Sequence, residues 1–92
     1  MVMKHNHMAS DDPRVRDAVV ELQALIQHHY PNATFQKTLG EDPPGTYLIA
    51  TVDVEDTDDV VDVYIDRLLA FQVDEGLPVY VVPIRLLKRV WV

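Results

Sequence analysis

Apolar residues recur at helical spacing from Val15 to His29. Val15, Ala18, Val19, Leu22, Leu25, Ile26 and His29 fall on one stripe, and Arg14, Arg16, Asp17, Glu21, Gln23 and Gln27 take the other side. The pattern predicts an amphipathic helix that begins at Asp11 or Asp12. Asp12 suits the cap, and Pro13 suits the first turn, where a missing N–H costs nothing. Tyr30-Pro31-Asn32 ends the helix, because proline disfavours helical geometry in the residue before it. The period then changes to two. Phe35, Lys37 and Leu39 alternate with Thr34, Gln36 and Thr38, which predicts a short strand at a sheet edge, Lys37 discouraging further pairing.

Gly40-Glu41-Asp42-Pro43-Pro44-Gly45 predicts a loop that joins this strand to the next as a hairpin with a longer connection. In the second strand, Tyr47 to Val54, Leu48, Ala50, Val52 and Val54 form the better core face. Tyr47, Ile49, Thr51 and Asp53 form a mixed face, partly exposed or covered by a partner. Helical spacing returns from Asp58 to Glu75. Val61, Tyr64, Ile65, Leu68 and Leu69 make the main stripe, with Val60, Phe71 and Gln72 at its margins. Gly76 supplies the left-handed residue that follows many helix ends. Val79 to Ile84 is apolar on both faces, Val79 and Val81 on one and Tyr80, Val82 and Ile84 on the other. Such a run suits a strand parallel to its neighbour.

The elements assemble as an α+β fold, a two-layer α/β sandwich of order α-β-β-α-β. Strands one and two pair as a hairpin, and the crossover to the third is right-handed, so two helices share one face of a three-stranded mixed sheet. The other face has no helix to cover it. This order has a loose likeness to small domains of the type II KH and BolA kinds. The KH nucleic-acid loop, two glycines separated by two residues with basic neighbours, has no counterpart here, so no family follows from the likeness. Met1 to Ser10 shows no periodicity and is expected to be a disordered or tag-derived segment, with residues 11–92 forming a single domain.

Composition narrows the function. A net charge of -7 disfavours nucleic-acid backbones and anionic membranes. The absence of cysteine removes disulfides, thiolate metal sites and cysteine nucleophiles, and fits a cytoplasmic protein. Arg85, Lys88 and Arg89 cluster near the C-terminus but are few for a nucleic-acid footprint. Ser10 is the only serine, and it lies outside the patterned region, so no serine triad is expected.

The chemistry that remains is thin. Asp53, Glu55, Asp56, Asp58, Asp59 and Asp62 form an acidic cluster. Asp56 or Thr57 can cap the second helix, and Asp58 and Asp59 suit its positive N-terminal end. The cluster lacks the spacing of a calcium loop. His28 and His29, being adjacent, point about 100° apart and cannot chelate one metal.

These readings predict a small, non-enzymatic protein-interaction or regulatory domain, most simply a homodimer that buries the uncovered sheet face. The interaction surface is expected around Tyr47, Ile49, Thr51 and Tyr80, with Trp91 nearby and Asp53, Glu55 and Asp56 as polar determinants. No catalytic residue, metal ligand or cofactor is assigned. The partner is a second copy or another protein, with nucleic acid and membrane disfavoured. The alternative is a metal-dependent enzyme or divalent-cation-binding protein that uses the acidic cluster Asp53–Asp62.

Overall fold

The computed structural model describes residues 12–86. The elements run α1 (Pro13–His29), β1 (Thr34–Glu41), β2 (Pro44–Val52), α2 (Asp58–Leu69), a π-helical turn (Ala70–Asp74) and β3 (Val79–Arg85). The sheet order is β1-β2-β3. β1 and β2 are antiparallel, and β2 and β3 are parallel. This is the expected two-layer arrangement of two helices and a three-stranded mixed sheet. The segment 1–10, Lys88, Arg89 and Trp91 lie outside the described residues.

Helix α1 forms as its pattern dictates. The Asp12 carboxylate accepts the Arg14 backbone N–H at 2.9 Å, which satisfies one of the donors a helix start leaves open. Val15, Ala18, Val19, Leu22 and Ile26 are buried against the sheet. They meet Leu48, Ala50 and Val52 of β2 and Val79 of β3 in one core. His28 and His29 are exposed at the C-terminal end, where the helix dipole accommodates positive charge.

Helix α2 departs from expectation in two ways. Its buried line is Val60, Tyr64 and Leu68, whereas Leu69 of the expected stripe is 46% exposed. Val60 and Leu69 are nine residues apart. At about 100° per residue they lie on opposite sides of the helix, so sealing Val60 in the core turns Leu69 outward. Val61 and Ile65 flank the buried line and pack partly against the core. The α-helix also ends at Leu69 rather than Glu75 and widens into the π-turn, which carries Phe71 into the core. The Gln72 side-chain amide donates to the Val79 carbonyl at 2.8 Å and ties this turn to β3. Gly76 follows at φ 64°, where a side chain would be strained.

The predicted six-residue loop is a tight hairpin. Pairing continues through Gly40↔Gly45 and Glu41↔Pro44, leaving only Asp42 and Pro43 to turn the chain. The glycines are seats for aromatic rings. A Cβ at Gly40 would collide with the Tyr47 ring, and a Cβ at Gly45 would lie 2.5 Å from the Pro78 carbonyl oxygen and 2.8 Å from the Tyr80 ring.

The two helices are joined across their exposed edge. Arg67 makes two hydrogen bonds to the Glu21 carboxylate, one from Nη2 at 3.1 Å and one from Nε. Its guanidinium also lies 4.4 Å from the centroid of the Phe71 ring. The hydrogen bond from Arg67, helped by its charge and opposed by partial desolvation, lowers the Glu21 pKa from its usual 4.5. A lowered native pKa gives stability that is present above the unfolded-state value and is lost as pH falls through the native one.

Two measurements check this packing. Leu22→Ala is expected to cost about 2–5 kcal/mol in urea unfolding, since Leu22 is fully buried, whereas Val20→Ala on the exposed side should stay within about 0.5 kcal/mol. Glu21→Gln should be less stable than the wild type at about pH 6, and the gap should narrow as pH falls below the usual 4.5 and through the lowered native value.

Candidate functional site

The sheet face away from the helices is built by register. Thr38, Tyr47 and Tyr80 form one row; Gln36, Ile49 and Val82 the next; Thr34, Thr51 and Ile84 the third. Residues paired across neighbouring strands point to the same side, so these nine side chains make one continuous surface. None of the nine carries a formal charge. Tyr47, Ile49, Thr51 and Tyr80 are half-buried by one another, while Val82 and Ile84 are 36% and 42% exposed.

Tyr47 and Tyr80 anchor one end of this face. Their ring centroids are 5.0 Å apart at an interplanar angle of 33°, and the Tyr47 hydroxyl donates to the Pro43 carbonyl at 2.7 Å. Each ring lies over a hairpin glycine, which holds it against the sheet. Desolvation, reinforced by Tyr80 and Asp42, raises the Tyr47 pKa above its usual 10.0, so the Tyr47 hydroxyl keeps its proton and its hydrogen bond to Pro43 throughout the physiological range.

The structure therefore brings Tyr47, Ile49, Thr51 and Tyr80 together, as the alternation predicted, and adds Val82 and Ile84 beside them. The expected polar determinants lie elsewhere, past the end of β2. The Glu55 carbonyl accepts Arg85 Nη1 at 3.0 Å, and the Asp56 carboxylate accepts the Asp58 backbone N–H at 2.9 Å. Asp56 thus caps α2 with its side chain, while Thr57, at the cap position, makes no such bond. Asp53 is exposed and, with His29, Tyr30 and Val52, lines a shallow depression of about 200 Å³. Among the described residues no group of three or more histidines or carboxylates is placed to hold a metal ion. None of the described helices is long and apolar enough to cross a membrane.

A second surface feature lies on the helix side. The helices cover β2 and β3 but leave the outer part of β1 bare, so Leu39 is 61% exposed. A groove of about 300 Å³ results, lined by Val15, Arg16 and Val19 of α1, Lys37, Thr38 and Leu39 of β1, and the buried Thr46. The sequence pattern placed Lys37 and Leu39 on one side of an edge strand, but it carried no sign that α1 would stand clear of them.

No family model, curated protein or solved structure matches the chain. Gly45→Ala is expected to cost about 1–3 kcal/mol, because its neighbour is a backbone carbonyl that cannot swing aside. Gly40→Ala should instead displace the Tyr47 ring, visible as a change in the near-ultraviolet circular dichroism with the fold retained.

Proposed function

We propose that this chain is a small, non-enzymatic protein-interaction domain that pairs with a second copy of itself through the open sheet face. The carrying observation is the uncharged block of nine residues centred on Ile49. Two chains of net charge -7 repel each other over most approaches. On this face they meet without opposing like charges, and both gain by removing Ile49, Val82, Ile84 and the tyrosine rings from water.

Size sets the strength of the pairing. Three strands about 4.8 Å apart and some eight residues long span a footprint on the order of 350 Å². That is within the range of about 300–600 Å² for the largest patch on a soluble monomer, and below the roughly 800 Å² per partner of a standard interface. The pair is therefore reversible on dilution. Two-fold symmetry lets the same rows pack on themselves, with the sheets about 10 Å apart. The acidic remainder of the surface keeps the dimer from growing further.

Light scattering after size exclusion tests this reading. The wild type should give a dimer mass at about 100 μM protein, with the dimer fraction rising as salt screens the net charge. Ile49→Asp puts a charge at the centre of the face and should give a monomer with unchanged far-ultraviolet circular dichroism. A wild type that is monomeric at every concentration, or a variant that still dimerises, contradicts the proposal.

A further inference from the structure

The groove between α1 and β1 combines three properties. Its floor is apolar, from Val15, Val19 and Leu39, and two basic residues, Arg16 and Lys37, line it. Neither of those side chains has an ion pair or hydrogen bond among the described residues, whereas Arg14, Arg67 and Arg85 each bond a carboxylate or a carbonyl. Beside the groove runs the outer edge of β1, an eight-residue strand that among the described residues is paired on one side only. Such an edge presents unpaired backbone donors and acceptors to any strand that approaches.

We propose that this edge and groove take an extended, acidic segment of another protein, which adds a fourth strand to the sheet beside β1. Main-chain hydrogen bonds to β1 supply the alignment, and alternate side chains of the guest point inward over the groove. The inward positions are complementary to what they meet: a carboxylate beside Lys37 and Arg16, and an apolar residue over Leu39, Val15 and Val19. Glu41 lies on the same face beyond Leu39, so the guest's acid belongs at the Lys37 end. A second copy of β1 fits poorly, because antiparallel pairing about the strand centre brings Lys37 close to its own symmetry mate. A small amphiphilic carboxylate could use the cations and the floor but would leave the strand edge unpaired. This site is on the opposite side of the sheet from the proposed dimer face, and either can fail alone.

The test uses a fluorescein-labelled eight-residue peptide with threonine at the outward positions and glutamate and valine in turn at the inward ones. A counterpart carries lysine for each glutamate. Against a chain of net charge -7, general electrostatics favours the lysine peptide, so preference for the acidic one reports the groove. Fluorescence anisotropy should show that preference. Lys37→Glu and Arg16→Glu, both exposed positions, should each weaken binding about tenfold with thermal stability unchanged. The double variant should prefer the lysine peptide. Amide exchange along β1 should slow on binding. Equal binding of the two peptides, no binding, unchanged β1 exchange, or full displacement by octanoate would each overturn the proposal.

Discussion

Two neighbouring parallel strands cannot be joined by a hairpin, and β2 and β3 are such a pair. The chain must leave the sheet after Val52, cross over it and return at Val79. Right-handed crossing fixes the side on which α2 lies. Helix α1 can bury Leu22 and Ile26 only by joining α2 there, since that is where Leu48, Ala50 and Val79 face. One crossover thus decides that, among the described residues, the sheet has a covered face and an open one. The helices centre over β2 and β3, so β1 is bare along its rim, and both candidate surfaces follow from this asymmetry.

Much of this layout is legible in the residues. The change from helical spacing in Val15–Ile26 to alternation in Phe35–Leu39, and the doubly apolar run Val79–Ile84, specify element types and order. The same alternation separates Leu48, Ala50 and Val52 from Tyr47, Ile49 and Thr51, and with it the two faces of the sheet. Details that depend on tertiary neighbours are not legible. Gly40 and Gly45 resemble loop residues in sequence, but the Tyr47 ring fills the space at Gly40, and the Pro78 carbonyl with the Tyr80 ring fills it at Gly45. The buried line of α2 is settled by Val60 meeting the core, a choice that a helix with valine, isoleucine and leucine on several sides leaves open. The groove beside β1 depends on where α1 sits across the sheet, which no local pattern encodes. Asp53, Glu55 and Asp56 are conspicuous as a run of charge, yet Asp56 is a helix cap and the Glu55 backbone is a tether for Arg85.

Charge is distributed to match. The acids concentrate around the start of α2 and on exposed helix faces, the open sheet face has none, and two cations without a partner among the described residues stand together at the β1 groove. An acidic body favours solubility and repels copies of itself over most orientations. Against that background an uncharged sheet face and a small basic groove are exceptions, the first proposed to pair with a second copy and the second with an acidic segment. Neither requires motion of the fold, because both consist of side chains on strands and helices already held by the core.

The most direct test of the central claim is an isotope-filtered nuclear Overhauser experiment on an equal mixture of labelled and unlabelled chains at high concentration. Contacts between protomers should join the Ile49, Val82 and Ile84 methyl groups to one another and to the rings of Tyr47 and Tyr80. Intermolecular contacts confined to the helix side or to Leu39, or none at all at a concentration where the chain is fully associated, would contradict the account.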